Sequence, residues 1–434
     1  MRLIYNGILL FALIVFAPLL FVKIILTPRY RGRILRRLGI GLPRELTKKP
    51  GAHPRLWIHA LSVGEVSSSR PLVRGLRARF PGAAIFFSSA TQSGETYARE
   101  VLAAQVDAFV PFPLDAPFCV KGVMEAVRPD LFILVETDFW PNFLWALQRR
   151  RVAAVLVNGR ISESSFGRYR KLSWFFLPLF ASFRVITMQT AADARNLIKL
   201  GVAEEKIKVL GNLKYEAATP EVHPIDPEAG REKYLIPADA LLWVAGSTHP
   251  GEEEIVLDVF RALRRDFPRL FLVIAPRNIQ RVPEILKIAA GGETGEVSLR
   301  SASVSQPRSN LMILDTFGEL AGLYGICDVA FLGGSLVPEG GHNPLEPAAF
   351  GKPVIFGPHM DDFGEISRGL LLAGGALMVH SKGDLQERLR ELLNDAALRR
   401  QIGDKGKKLI AEQQGVTSRH LEVIRQILDK GEAA

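Results

Sequence analysis

Glycines and polar side chains crowd the segment 331–347, directly after an apolar run. Its glycines lack side chains where a ligand could approach backbone N–H groups, and they are Gly333, Gly334, Gly340 and Gly341. Asn343 fits a helix cap, Pro344 the first helical position and Glu346 the third. The positive end of that helix would favour an anion. The segment therefore predicts a nucleotide-phosphate site, and a capping box between Asn343 and Glu346 is the alternative.

Glu65 is the candidate general base. The apolar run 56–60 leads into a glycine-containing loop, and a helical pattern follows from residue 66 to residue 80. Ligands of parallel sheets bind outside the carboxyl ends of the strands, so Glu65 is predicted to take a hydroxyl proton during group transfer. A capping box with Ser62 is the alternative. His59, at the same strand end, is a weaker candidate.

Further polar residues follow the predicted strands of the second half. Arg277 comes directly after a strand and a proline, which predicts an anion clamp, whereas a surface arginine is the alternative. Ser247 and Thr248 offer hydroxyls after another strand. The loop 315–320 follows a third strand, and Lys214 precedes the interdomain linker. The sequence has no D-x-D motif, histidine cluster or Walker motif, so metal-independent chemistry without a cofactor is predicted.

The elements that must position these residues form two series. At 434 residues the chain is long enough for two domains. Two cysteines without metal-ligand spacing favour a reducing compartment. Apolar runs alternate with helical patterns, which predicts α/β domains with doubly wound parallel sheets. The predicted strands are 56–60, 84–88, 131–136, 153–158 and 185–187, then 242–245, 270–275, 311–314, 329–332 and 353–356. We predict an anchor at 1–24, domains at 25–215 and 216–400, a helical tail at 401–434, a linker near 216–228 and an active site between the domains.

The N-terminus predicts a membrane anchor. Residues 3–22 are uncharged, and about 20 such residues cross a bilayer core. A cleaved signal peptide is the alternative, but no small-x-small site follows. Basic residues cluster after the run, which places the main body on the cytoplasmic side and could bind anionic headgroups. They are Lys23, Arg29, Arg31, Arg33, Arg36 and Arg37. The net charge of +10 also fits a phosphorylated substrate, whereas no motif supports nucleic-acid binding.

Ordered blocks along nearly the whole chain resemble the Kdo (3-deoxy-D-manno-oct-2-ulosonic acid) transferase family. The blocks are HALSVGE (59–65), ETDFWPN (136–142), NGRISE (158–163), GNLK (211–214), AGSTHPGE (245–252), DTFGEL (315–320) and GGSLVPEGGHNPLEP (333–347). The sequence departs from the family pattern at Asp138, Asn278 and Asp361-Asp362.

This resemblance implies a GT-B fold and an inverting glycosyltransferase at the cytoplasmic face of the bacterial inner membrane. It implies transfer of Kdo from CMP-Kdo to lipid IVA in lipopolysaccharide synthesis. Glu65 matches the family's general base, Arg277 its donor-binding arginine, and Asn343 with Glu346 its nucleotide motif.

The predicted donor site comprises Ser247, Thr248, Arg277, Gly318, Glu319, Gly333, Gly334, Asn343 and Glu346. The predicted acceptor side comprises His59, Arg160 and Lys214. Alternative functions are a nucleotide-sugar epimerase of the same fold and an inactive membrane-anchored binding protein.

Overall fold

The chain forms two compact units. The computed structural model describes residues 1–26, 28–42, 46, 52–218, 226–291, 296–302 and 309–432, with the backbone alone at 18–26, 28–31, 163–164 and 430–432. One unit contains Met1–Ala217 with Gly415–Ala434, and the other contains Ala218–Gln414. The predicted linker includes residues 219–225, which lie outside the described residues.

The first unit is built on a seven-stranded parallel sheet in the order β3-β2-β1-β4-β5-β6-β7. Its strands are β1 (Arg55–Ala60), β2 (Ala84–Ser89), β3 (Ala108–Phe109), β4 (Leu131–Val135), β5 (Ala153–Gly159), β6 (Val185–Met188) and β7 (Ile207–Val209). All six residues of β1 are buried, because helices cover both faces of the sheet. Successive side chains alternate between the faces, so Leu56 and Ile58 lie in one core cluster and Trp57 in the other.

The second unit repeats this architecture with a sheet in the order β10-β11-β9-β8-β12-β13-β14. Its strands are β8 (Leu241–Thr248), β9 (Leu270–Pro276), β10 (Val297–Leu299), β11 (Leu311–Ile313), β12 (Val329–Leu332), β13 (Val354–Phe356) and β14 (Ala376–Met378). Both sheets are parallel and doubly wound, which confirms the predicted α/β class.

Helices connect the strands throughout. They are α1 (Arg2–Leu26), α2 (Pro28–Arg37), α3 (Val63–Arg79), α4 (Gln92–Leu102), α5 (Pro117–Val127), α6 (Pro141–Arg149), α7 (Glu163–Lys171), α8 (Ser173–Ala181), α9 (Ala191–Leu200), α10 (Lys214–Ala217), α11 (Pro227–Lys233), α12 (Glu252–Arg264), α13 (Val282–Ala290), α14 (Leu320–Ile326), α15 (Leu345–Ala349), α16 (Gly364–Ala373), α17 (Lys382–Asn394), α18 (Ala396–Glu412) and α19 (Val416–Glu432).

Each sheet reverses its strand order at one point, between β1 and β4 in the first unit and between β8 and β12 in the second. Connections leave in opposite directions from the two strands that flank such a switch point, which opens a crevice at their carboxyl ends. The loops that follow these four strands are therefore the places where each unit can bind a ligand.

Helix α1 packs against the first unit along one side. The Tyr5 hydroxyl donates to Asp115 Oδ2 at 2.7 Å, and Asn6 and Asn142 exchange two side-chain hydrogen bonds of 2.7 and 3.1 Å. The Tyr5 ring meets Trp145 edge-on at 5.9 Å. Its other side exposes Leu3, Ile4, Ile8, Leu10, Phe11, Ile14, Val15 and Phe16. Among the residues that the structure describes, we find no helix with the combined length and apolar character to cross a membrane. The anchor stays a prediction.

The basic residues after the apolar run do not all face solvent. The side chains of Lys23, Arg29 and Arg31 lie outside the described residues. Arg33 Nη2 donates to the Ala90 carbonyl at 2.5 Å, and Arg37 Nε donates to the Phe112 carbonyl at 3.0 Å. Arg33 and Arg37 thus hold α2 to the first unit, whereas Arg36 is exposed.

The last helix, α19, returns to the first unit and packs on α3. A Cβ on Gly75 would lie 2.5 Å from Leu421 Cδ1, so Leu421 packs directly over this glycine and would have to move for a larger residue. His420 Nε2 lies 2.9 Å from Thr187 Oγ1 in a buried hydrogen bond. The segment predicted as one helical tail is thereby divided, with α18 in the second unit and α19 in the first.

Candidate active site

Glu65 stands at the switch point of the first sheet. Strand β1 ends at Ala60, Ser62 caps α3, and Glu65 lies in the first turn of that helix. The Ser62 hydroxyl accepts from Glu65 N–H at 3.4 Å, and Glu65 Oε2 accepts from Leu61 N–H. Ser62 therefore caps the helix as the alternative predicted, but Oε2 binds Leu61 N–H and not the Ser62 N–H of a capping box, while Oε1 accepts no hydrogen bond within the described residues. One carboxylate oxygen remains available to a substrate.

The surroundings of Glu65 disfavour its charge. Burial raises the pKa of Glu65 to about 8, and the neighbouring carboxylate of Glu136 adds to the increase. The Leu61 N–H and the Lys214 ammonium act in the opposite direction, and Asp138 raises the pKa further. A carboxyl group whose pKa lies near the working pH is suited to exchanging a proton with a hydroxyl group.

Glu136 is the residue that the sequence interpretation left without a role. It follows β4 with φ +60°, a left-handed conformation that is uncommon outside glycine. Its Oε1 lies 3.7 Å from Lys214 Nζ and accepts from Asn158 Nδ2 at 3.4 Å. Because Glu136 was included in the predicted strand 131–136, it was not considered as a site residue. Its position as an acidic residue directly after a buried strand was the signal that could have identified it. Lys214, predicted for this site, therefore lies beside a second carboxylate.

His59 lies beneath the site rather than at its surface. Its side chain is fully buried, and the ring stacks on Phe112 with centroids 3.6 Å apart. His59 Nδ1 lies 2.9 Å from Ser88 Oγ, and burial lowers the pKa of His59 to about 3. A neutral, stacked histidine supports the floor of this loop region and does not face a ligand here.

Arg160 follows β5, the strand next to β4. Its backbone exchanges hydrogen bonds with the Thr137 hydroxyl at 2.8 and 3.3 Å. The half-buried guanidinium has no hydrogen-bond or ion-pair partner among the described residues. It is thus a cation that can still bind an anionic group.

In the second unit, one buried carboxylate holds the glycine loop. Glu252 is fully buried in the first turn of α12. Its Oε2 accepts from His249 N–H at 3.0 Å and Gly334 N–H at 2.6 Å. Its Oε1 accepts from Ser335 N–H at 3.1 Å and Leu336 N–H at 3.0 Å. Glu252 therefore ties the loop after β8 to the loop after β12 across the switch point.

This arrangement differs from the predicted phosphate cradle. The Gly334 N–H is taken by Glu252, Gly333 N–H donates to the Gly246 carbonyl, and Gly341 N–H donates to the Gly334 carbonyl. These amides do not face a ligand in this structure. A Cβ on Gly333 would lie 2.3 Å from the Ser247 carbonyl oxygen, so this glycine serves close packing.

The predicted helix after the loop is short. Helix α15 has five residues, and Asn343 Oδ1 accepts from Leu345 N–H at 3.2 Å at its start. Asn343 Nδ2 donates to Glu346 Oε1 at 3.3 Å, a bond between two side chains and not the capping box that the sequence offered as the alternative. The helix cap is Pro344, one residue after the predicted cap. Since a helix dipole accumulates over aligned peptides, five residues give little field for a phosphate. Side chains must therefore provide most of the positive charge.

Those side chains gather around Arg277. Arg277 is exposed after β9, and its N–H donates to the Thr248 carbonyl at 3.0 Å, one residue before His249. Its charge lowers the pKa of both His342 and Glu346. Burial is the larger effect for both: it lowers the pKa of His342 to about 4 and raises that of Glu346. His342 Nε2 lies 2.9 Å from His249 Nε2. The cluster thus joins a cation, two imidazoles and a carboxyl group, with Glu346 able to accept from sugar hydroxyls.

The remaining predicted donor residues occupy different positions. Ser247 is the penultimate residue of β8 with φ +57°, and Thr248, the last, is buried. Gly318 has φ +80° and open space around its α-carbon. The carboxylate of Glu319 is bound by Arg300 Nε at 2.8 Å, so it is engaged within the protein.

Two doubly wound sheets with polar loops at their switch points define an α/β protein of a two-domain architecture. The same architecture occurs in a UDP-GlcNAc 2-epimerase of Neisseria meningitidis bound to UDP-GlcNAc, with a TM-score of 0.57 and 12% identity over 82% of this chain and 98% of that one. At this identity the likeness shows the fold alone.

Sequence relatives define the family. The model of the 3-deoxy-D-manno-octulosonic-acid transferase (kdotransferase) family matches residues 33–217. A 3-deoxy-D-manno-octulosonic acid transferase of Haemophilus influenzae is 35% identical over 440 residues, covering 99% of both chains. A transferase of the same name from Chlamydophila psittaci is 31% identical, covering 98% of this chain and 96% of the relative. The chain belongs to the 3-deoxy-D-manno-octulosonic acid transferase family and is a glycosyltransferase, which confirms the predicted enzyme class.

Proposed function

We propose that this enzyme transfers Kdo from CMP-Kdo to a lipid IVA-type acceptor in lipopolysaccharide synthesis, with inversion at the anomeric carbon. The observation that carries the proposal is the Glu65 carboxyl at the first switch point, with one oxygen that accepts no hydrogen bond from the described part of the chain and a pKa raised to about 8. Glu65 takes the proton of the acceptor hydroxyl as the new C–O bond forms. The electron pair of the broken bond leaves with the phosphate of CMP.

The donor is proposed to bind the cluster around Arg277. The guanidinium can form charge-assisted hydrogen bonds to phosphate oxygens, and Glu346 can accept from ribose hydroxyls. Ser247 and Asn343 are further proposed contacts on the loops that Glu252 organises. On the acceptor side, the free guanidinium of Arg160 and the Lys214 ammonium suit the phosphates of a bisphosphorylated lipid.

The membrane role rests on α1. Its polar contacts with Asp115 and Asn142 fix one side of the helix to the first unit, and its other side presents only apolar surface over residues 3–16. We place the enzyme at the cytoplasmic face of the inner membrane with this helix as its anchor. An exposed apolar patch of this kind is characteristic of a membrane or protein contact. Sedimentation with anionic vesicles, with and without residues 2–24, tests the anchor.

The deciding experiment is mass spectrometry of lipid IVA incubated with CMP-Kdo and the enzyme, because each added sugar gives a discrete mass increment. Wild type is expected to give the increment. Glu65→Gln is expected to retain CMP binding and to lose transfer. Glu100→Gln is the matched control, since Glu100 is an exposed helical glutamate of the same unit.

Each contrary result has a distinct meaning. Near-normal transfer by Glu65→Gln rejects Glu65 as the base. A modified nucleotide sugar formed without lipid would support the epimerase alternative instead. Binding of CMP without any product in wild type would support an inactive binding protein.

A further inference from the structure

The histidine pair of the second unit has a geometry that constrains its protons. His249 Nε2 and His342 Nε2 lie 2.9 Å apart, with the rings inclined by 20°. Two nitrogens at this distance form a hydrogen bond only if one carries a proton and the other does not. The facing nitrogens therefore hold one proton between them.

The backbone loops that carry the two histidines are held in place and leave room for both rings. His249 follows β8 and His342 follows the glycine loop, so Glu252 orders both of their loops. A Cβ on Gly334 would lie 3.3 Å from His249 Cδ2 and 3.4 Å from His342 Nε2, and Gly334 has φ +66°. Glycine at this position leaves the space that the two imidazoles occupy.

The charges around the pair favour an anion. Arg277 N–H donates to the carbonyl of Thr248, the neighbour of His249, at 3.0 Å, and Glu346 Oε1 accepts from Asn343, the neighbour of His342, at 3.3 Å. Glu339 Oε2 is 3.9 Å from His249 Nδ1, and its side chain is half exposed. The Glu252 carboxylate is fully used by backbone N–H groups. Burial and the Arg277 charge both lower the pKa of His342, so its imidazolium form is unfavourable until negative charge arrives beside Arg277.

We propose that His249 and His342 form a proton-linked binding site for the departing phosphate monoester, taking up one proton when the nucleotide phosphate binds beside Arg277. This inference rests on the proposed function and adds to it a means of binding the leaving group. In the free protein, the ring that donates through Nε2 has a bare Nδ1. That nitrogen takes the proton from solvent and becomes a cationic donor. When the C–O bond to the phosphate breaks, the phosphate gains negative charge, and the proton returns to solvent as CMP leaves.

The test measures proton uptake during CMP binding to the full-length enzyme. Titration calorimetry at pH 7 in two buffers of different ionisation enthalpy gives the number of protons bound per CMP. Wild type is expected to take up more than about half a proton. Cytidine, which lacks the phosphate, is expected to cause no uptake.

Substitution of each histidine tests whether the pair takes up the proton when CMP binds. His342→Gln and His249→Gln are expected to lose most of the uptake and to weaken CMP binding roughly ten- to a hundredfold, the usual effect of losing a charge-assisted hydrogen bond. His380→Gln is the matched control, because His380 is an exposed histidine of the same unit. Equal uptake by His342→Gln and wild type would place the proton on the phosphate and overturn the proposal.

A further measurement does not depend on the variants folding. With eight histidines in the chain, imidazole ¹⁵N NMR of the wild type can follow each ring. CMP is expected to move one Nδ1 signal of the pair to the protonated range. CMP binding with neither uptake nor this shift overturns the histidine inference alone, whereas a failure to bind CMP overturns the proposed function as well.

Discussion

Glu252→Gln should loosen the loop that follows β12. In the wild type, the two carboxylate oxygens accept four backbone hydrogen bonds from His249, Gly334, Ser335 and Leu336. A glutamine of the same size keeps one acceptor oxygen and turns an NH₂ group toward two N–H donors. Those two donors then have no acceptor in a site that excludes water.

The magnitude follows from these contacts. A buried donor left unsatisfied costs about 1–3 kcal/mol, so two cost about 2–6 kcal/mol. The lower value corresponds to about thirtyfold in the equilibrium for local opening. Amide hydrogen exchange of peptides that cover residues 333–337 should therefore accelerate at least thirtyfold, because exchange follows local opening.

The matched control is Glu254→Gln, two residues later in α12, where the side chain is exposed. This change should alter stability by about 0.5 kcal/mol or less and leave exchange of the loop unchanged. CMP affinity should fall only in Glu252→Gln, since His249 and His342 depend on the ordered loops. Equal exchange in the two variants would refute the assignment of Glu252 as the organiser of this site.

Several other outcomes are expected. Because the base must be ionised and the pKa of Glu65 is about 8, kcat/KM should rise about tenfold per pH unit below pH 8 and level off above it; Glu136→Gln should move this limb to lower pH, which a pH–rate profile measures. Arg277→Ala should weaken CMP binding roughly tenfold or more, with partial recovery in Arg277→Lys, as calorimetry would show. Tyr5→Phe removes a hydrogen bond to Asp115 worth about 1 kcal/mol and should increase amide exchange in α1 several-fold. Transfer activity should persist in excess chelator.

The central strands were predictable and the outer ones were not. Strands buried on both faces read as continuous apolar runs, and all ten predicted strands are present within a few residues of their bounds. The four that were missed are β3, β7, β10 and β14, the edges of the two sheets. Each has only two or three residues and is partly exposed, so it does not form the continuous apolar run that identified the equally short but buried β11 and β13.

The residues of the candidate site also divide into those that the local sequence identifies and those that it does not. Glu65 and Arg277 could be selected from the sequence because Arg277 directly follows a strand and Glu65 lies in the first helical turn after one, and their roles stay predictions. Glu252 was missed as an organiser, since three of its four partners are backbone amides more than 80 residues away that no local pattern specifies. Gly334 also differs from its prediction. Its N–H donates to Glu252 and not to a phosphate, and the missing side chain leaves space for the two imidazoles.

The return of α19 makes the second unit an insertion within the first. About 200 residues separate Ala217 from Gly415. Leu421 can pack against Gly75 only after this whole stretch has been synthesised. At about 5–20 residues per second, translation of that stretch takes roughly 10–40 s. During this interval the part of α3 that α19 later covers has no cover from its own chain, so the ribosome-bound intermediate is where we expect chaperone dependence.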